Sequence, residues 1–342
     1  MINPLMHRLA PIPHSEFRIK NDMTSLIPIL LLALGFVALI LGANWLVNGA
    51  TSIGIRAKLS PLIIGLTIVA FGTSLPEMIV NIFSCIKGSP GLAIGNIIGS
   101  NTMNILLILG VSALIWPIDV SRVSIRRDIP AGFVATLAIA LMANDFFMSK
   151  DNIVNVDWKE GIILLLLGFG YLLLTLRKND GTDKAEEAQE ALPWGKTILS
   201  LVLGIVGLYI GGELVSRNAQ ILARNWGMSE STIGLTVVAT ATSLPELITS
   251  IVAATKKNSG IAIGNVLGSN ILNIFMVLGI SALITPLPFE PMMNKQLMIL
   301  FAANVLMLLF VFTGKGRKLS RFEGALLTLG YVGFMCFSLA VQ

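Results

Sequence analysis

Two glutamates share one setting. Glu77 ends the run T-I-V-A-F-G-T-S-L-P-E from Thr67, and Glu246 ends the run T-V-V-A-T-A-T-S-L-P-E from Thr236. A proline precedes each acid, and neither run contains a Lys or Arg to pair it. An unpaired carboxylate in apolar surroundings is expensive, so it must be protonated, paired or bound to a cation. The nearby side chains are oxygen donors: the hydroxyls of Thr73, Ser74, Thr242 and Ser243. A second doubled run, G-L-A-I-G-N-I-I-G-S-N-T-M-N-I-L from Gly91 and G-I-A-I-G-N-V-L-G-S-N-I-L-N-I-F from Gly260, adds the amides of Asn104 and Asn273. Carboxylate, hydroxyl, amide and carbonyl oxygens suit hard cations such as Ca2+ and Na+. Both histidines, His7 and His14, lie near the N-terminus, which excludes a His-based transition-metal site inside the apolar region. Cys85 and Cys336 sit in apolar segments of different halves, and no structural disulfide is expected.

The elements that carry these residues belong in lipid. Hydrophobic residues make up 54% of the 342, and charged residues only 13%, against about 25% in soluble domains. Leu26 to Val47, Ile162 to Leu176 and Leu297 to Phe312 are nearly free of charge. A span needs about 20 apolar residues, and the chain offers about ten such candidates. The expected fold is an all-α polytopic membrane protein whose main partner is the lipid bilayer. The net charge of +5 therefore gives no reason to expect nucleic acid as a partner. Residues 1–24 are polar and contain Pro4, Pro11 and Pro13. They read as a flexible tail, not a signal peptide, because the next apolar stretch is long enough to span.

The doubling extends beyond the two motifs. Glu77 and Glu246, like Asn104 and Asn273, are 169 residues apart, and 28 of the 51 positions from Thr67 to Pro117 recur identically at that offset. Apolar composition alone would not hold Pro, Glu, Asn and Ser in register. Glu160 to Tyr171 resembles Glu323 to Gly333, so each half runs to about five spans. The expected division is a tail over 1–24, a first repeat over 25–176, a charged cytoplasmic linker over 177–196 and a second repeat over 197–342. Five is odd, so the halves should be inverted. With the N-terminus outside, the inner loops carry 15 Lys and Arg and the outer side with the tail carries 9. Basic residues favour cytoplasmic loops, so both termini are expected in the periplasm.

The segment Leu59 to Ile86 is too long for an untilted span, and Pro76 lies near its middle. Proline removes a helix donor and clashes one turn back. A break is expected around Ala70 to Leu75, with Thr73 and Ser74 reaching back to the freed backbone. Broken helices at mid-depth in two inverted repeats point to a transporter binding site. In the partner segments Gly95 and Gly99, and Gly264 and Gly268, permit close helix approach. Ser100 and Asn104 are four apart and share one helix face. Glu213 reads as solvated near a helix end. Glu160 and Glu323 read as structural acids opening the last span of each half, and Met292 and Met293 as packing residues.

The doubled pair G-T-S-L-P-E and G-N-x-x-G-S-N-x-x-N resembles the alpha repeats of the sodium/calcium exchanger superfamily, close to its bacterial calcium/sodium antiporters. The resemblance covers the whole apolar region. It implies ten helices in two inverted sets of five, with Pro-broken helices and four cation sites at the centre. It implies as ligands Glu77, Glu246, Thr73, Ser74, Thr242, Ser243, Ser100, Ser269, Asn104 and Asn273, with the carbonyls of Ala70 and Ala239. It also implies a multi-pass protein of the cell inner membrane that exchanges Ca2+ for Na+ without a cofactor. Two departures stand out: Ala241 replaces a usual glycine, and Asn273 stands where some microbial relatives carry aspartate. The site then carries −2 when both glutamates are ionised. One Ca2+ neutralises it and three Na+ leave +1, so three-to-one exchange is electrogenic. One rival keeps the fold and couples Ca2+ to H+, or adds K+, since a buried carboxylate can also take a proton. A second rival, an intramembrane hydrolase, lacks a membrane His or a Lys or Asp in register with a serine.

Overall fold

The computed structural model describes residues 14–143, 155–177, 191–226, 239–289, 293–313 and 316–340. The described residues are mostly helical. In order the helices are α1 (His14–Ala57), α2 (Pro61–Thr73), α3 (Leu75–Ile86), α4 (Gly91–Ile115), α5 (Ile129–Met142), α6 (Trp158–Arg177), α7 (Trp194–Asn225), α8 (Ala239–Thr242), α9 (Leu244–Thr255), α10 (Ser259–Ile284), α11 (Met293–Thr313) and α12 (Arg321–Ala340). Six are long and apolar enough to cross a membrane, or seven when the bent pair α2–α3 counts as one. Of the other apolar helices, α5 and α9 are shorter, α5 being entered through a π-helical turn at Ser124–Asp128 and α9 following a break, while α12 runs to 20 residues.

Local chemistry explains the element ends. Ser60 caps α2 through Ile63 N, and Pro61 sits in its first turn, where a missing donor costs nothing. α6 and α12 open on matching capping boxes. The Glu160 carboxylate accepts from Asp157 N (2.8 Å) and the Glu323 carboxylate from Ser320 N (3.0 Å), which gives both acids their structural role.

Four two-residue strands tie distant parts together. β1 (Ile118–Asp119) pairs antiparallel with β4 (Lys318–Leu319), and β2 (Asn155–Val156) pairs antiparallel with β3 (Leu287–Pro288). β1 and β3 are counterparts at the 169-residue offset, so each half lends one strand to the other.

α1 and α7 pack antiparallel along their length. A methyl at Gly42 would lie 2.7 Å from Leu208 N, and one at Gly204 would lie 2.6 Å from Leu46 N. Glycine is required there because the two backbones touch. α4 and α10 form the buried centre, with every residue of Ile261–Leu272 inside. Side chains such as Leu34, Leu166 and Leu329 stay exposed on the outer helices, as a lipid-facing surface demands.

Two expected boundaries move. The segment read as a tail to residue 24 is helical from His14, since no proline interrupts it between Pro13 and Pro28. The helix that opens the second half starts at Trp194, not 197, and its entrance is fixed to α1. Arg56 donates to the Leu192 carbonyl and lies 4.4 Å from the Trp194 ring centroid, while Ser52 Oγ accepts from Leu192 N. Residues 178–190 of the linker, Met292 and the C-terminal Gln342 lie outside the described residues.

Candidate ion-binding site

The break between α2 and α3 is narrower than its sequence suggests. Ala70–Thr73 remains helical, and only Ser74 leaves the helical ladder, at φ −82° and ψ 1°. The two pieces diverge by 42°. Pro76 cannot donate to the carbonyl four residues back, which is that of Gly72. The Ala70 carbonyl is not free: it accepts from Ser74 N (3.0 Å) and from Thr73 Oγ1 (3.3 Å). A π-helical turn at Gly65–Val69 lies upstream. In the second half Ser243 (φ −92°, ψ 7°) breaks the chain in the same way, between α8, which opens at Ala239, and α9. Further π-helical turns at Asn104–Ile108 and Asn273–Leu278 lie inside α4 and α10, and such turns recur at functional sites.

Each polar bond across the centre has a partner bond with the halves exchanged. Ser74 Oγ donates to Glu246 Oε1 (3.1 Å), and Ser243 Oγ donates to Glu77 Oε1 (3.3 Å). Thr73 Oγ1 donates to Asn265 Oδ1 (3.1 Å), and Thr242 Oγ1 to Asn96 Oδ1 (3.3 Å). Asn104 Nδ2 donates to Asn270 Oδ1 (2.9 Å), and Asn273 Nδ2 to Asn101 Oδ1 (3.2 Å). Asn101 and Asn270 also exchange amide-to-carbonyl bonds of 3.0 and 3.2 Å. Counterparts at the 169-residue offset therefore face each other about a local twofold.

Glu77 and Glu246 are both fully buried and lie within electrostatic reach of each other. Among the described residues neither forms an ion pair; the two ion pairs there are Arg127–Asp128 and Lys318–Asp119. Six buried oxygens of the site have no hydrogen-bond partner: Glu77 Oε2, Ser100 Oγ, Asn104 Oδ1, Glu246 Oε2, Ser269 Oγ and Asn273 Oδ1. They are three pairs of counterparts. An unsatisfied buried polar atom costs about 1–3 kcal/mol, more when charged, so six at counterpart positions of the two motifs call for a partner. Every one is an acceptor, and the two amide donors are already spent on other asparagines. The arrangement suits a hard cation. Among the described residues no group of three His, Cys, Asp or Glu gathers.

Of the ten side chains singled out by sequence, Ser74 and Ser243 bond the two glutamates across the halves, Thr73, Thr242, Asn104 and Asn273 bond asparagines of the opposite half, and Ser100 and Ser269 are buried on α4 and α10. Four further asparagines belong with them: Asn96, Asn101, Asn265 and Asn270. Asn96 Nδ2 donates to Asn81 Oδ1 (2.8 Å) and Asn265 Nδ2 to Ser250 Oγ (2.9 Å), which turns each Oδ1 toward a site threonine. The signal that finds them is their identity in both copies of G-N-x-x-G-S-N-x-x-N. Asp128, buried against Arg127 and Tyr171, lies outside this set and has no acidic counterpart in the second half.

A buried carboxylate pair bonded to hydroxyls of the opposite half, within a bundle of long apolar helices, defines the class as a polytopic membrane protein. The family model described as sodium/calcium exchanger protein matches residues 27–177 and 196–340. The chain belongs to that family and is a membrane antiporter of the calcium/cation exchanger type. It is 34% identical to the putative antiporter CaxA of Alkalimonas amylolytica, over 90% of this chain and 98% of the relative. It is 32% identical to the sodium/calcium exchanger MaX1 of Methanosarcina acetivorans, over 90% of this chain and 97% of the relative. The solved structure of the sodium-calcium exchanger NCX_Mj superposes with a TM-score of 0.76 at 32% identity, covering 90% of this chain and 97% of that one.

Proposed function

We propose that this protein exchanges Ca2+ for Na+ across the cell inner membrane by alternating access, and that the exchange moves net charge. The six unpaired buried oxygens, arranged as three counterpart pairs, carry this reading. With the hydroxyls of Thr73, Ser74, Thr242 and Ser243 and the carbonyls of Ala70 and Ala239, they form the proposed ligand set. Ser74 and Ser243 aim their protons at the glutamates, which leaves the hydroxyl lone pairs for a cation. The two glutamates give the site −2. Bound Ca2+ makes it neutral, whereas three Na+ leave +1, which the membrane potential acts on at ~2.3 kcal/mol per 100 mV for full transfer.

The proposed architecture is ten spans in two inverted sets of five, with the broken pairs α2–α3 and α8–α9 each counted once and both termini periplasmic. The antiparallel packing of α1 on α7 and the exchanged strands support inversion, since counterparts run in opposite directions about a twofold in the membrane plane.

The deciding experiment is Ca2+ flux in vesicles holding the purified protein. Uptake is expected to follow an imposed Na+ gradient and to change when the potential is clamped at a second value. Flux that follows only a pH gradient would replace Na+ with H+ as the coupling ion. Na+-driven flux that ignores the potential would remove the three-to-one charge argument.

A further inference from the structure

Glu213 lies on α7, twelve residues before its C-terminal Asn225, or about 18 Å at 1.5 Å per residue. This depth is well inside a helix whose preceding turns, from Ile198 to Ile210, are apolar. The Glu213 side chain is exposed and makes no hydrogen bond or ion pair among the described residues. It faces a cavity of about 540 Å3 between α3, α7 and the α8–α9 break. Ala241, Thr242 and Pro245, the residues that flank Ser243 and precede Glu246, line that cavity, as does Pro76, which precedes Glu77. Ser84, Ser216 and Gln220 add neutral polar groups to the wall.

Glu213 is the cavity's single carboxylate among the lining residues. The charges opposing it are Lys87, also in the lining with its ammonium 5.9 Å from the Phe83 ring centroid, and Arg217, one helical turn on. The counterpart of Glu213 in the first half is Asn44, whose amide folds back to its own helix at the Ile40 carbonyl (3.0 Å). The acid is thus present on one face of the protein only.

We propose that Glu213 is a capture residue, forming on the cavity wall a subsite for a hydrated divalent or monovalent cation before it reaches Thr242 and Glu246. The proposal rests on the exchange reading for its role in transport. A carboxylate on the wall of a cavity that leads to the break attracts cations and raises their arrival rate against the repulsion of Lys87 and Arg217, an effect that salt screens.

Two measurements test it. In right-side-out and inside-out vesicles at low ionic strength, Glu213→Gln is expected to raise the KM for Ca2+ roughly 3- to 10-fold on one side only. The shift should shrink as salt is added, with Glu213→Asp near wild type and Lys87→Gln moving KM the opposite way. The second measurement needs no transport. In a detergent-purified Glu77→Gln/Glu246→Gln protein, Tb3+ luminescence sensitised by Tyr209, which lines the same cavity, should appear and should vanish when Glu213→Gln is added. A KM unchanged or shifted equally on both sides, or a Tb3+ signal that persists without Glu213, would overturn the subsite. Absence of Ca2+ exchange in the wild-type protein would instead overturn the exchange reading, and the Tb3+ result would still decide the subsite.

Discussion

Thr73 and Thr242 hold the same place in the two halves and make the same bond, yet Thr73 is fully buried and Thr242 is half-buried. Their acceptors differ in the same sense: Asn265 is sealed and Asn96 is half-buried. The hydrogen bonding is therefore twofold, while the burial of the bonded groups is unequal. The seal over the first half is backbone against backbone. Methyls at Gly264 and Gly268 would lie 2.6 Å from the Leu62 carbonyl oxygen and 2.7 Å from that of Leu66. On the side of Thr242 a cavity reaches the break itself. The difference teaches that side chains with equivalent bonds in the two halves need not be equally buried, because the packing around them and not their identity sets their exposure.

The strongest way to break the comparison is at the carboxylates. Glu77→Gln and Glu246→Gln should each reduce Ca2+ exchange to background while the protein still inserts and purifies as wild type. Equal losses would show that both halves contribute alike to one site. Wild-type flux in either variant would mean that the half concerned holds no cation.

That much was legible in the sequence, because the two motifs recur in fixed register and place Pro, Glu, Ser and Asn where apolar composition has no reason to put them. The partners were not. Asn96, Asn101, Asn265 and Asn270 make bonds to residues 146 to 192 positions away, and no local periodicity announces such pairing. Nor could the sequence say that the break would be confined to Ser74, since Pro76 fixes which donor is lost and the surrounding bonds fix how the chain absorbs it. The helix from His14 was hidden by its polar composition, which resembles a tail, and by Pro28, which the helix in fact runs through.

A test of access comes next in size. In a Cys85→Ser, Cys336→Ser background, Thr242→Cys should react with a small water-soluble thiol reagent much faster than Thr73→Cys. The two original cysteines are unpaired, so their removal breaks no disulfide. Equal labelling rates would contradict the unequal burial.

The smallest expected effect is on stability. Thr73→Ala leaves the sealed Asn265 Oδ1 without its donor, a loss of about 1–3 kcal/mol. Thr242→Ala should cost less than ~1 kcal/mol, because water can reach the half-buried Asn96. Thermal unfolding of the purified variants should rank them in that order. The reverse order would place the seal on the other side.

The central claim is that the paired carboxylates and their neutral oxygen neighbours hold the transported cation. Its most direct test is equilibrium Ca2+ binding to the detergent-purified protein, with Na+ as competitor. The wild-type protein should bind Ca2+ saturably and release it as Na+ rises, and the Glu77→Gln/Glu246→Gln protein should show neither response. Ca2+ binding that survives in the double variant with its Na+ sensitivity intact would contradict the account.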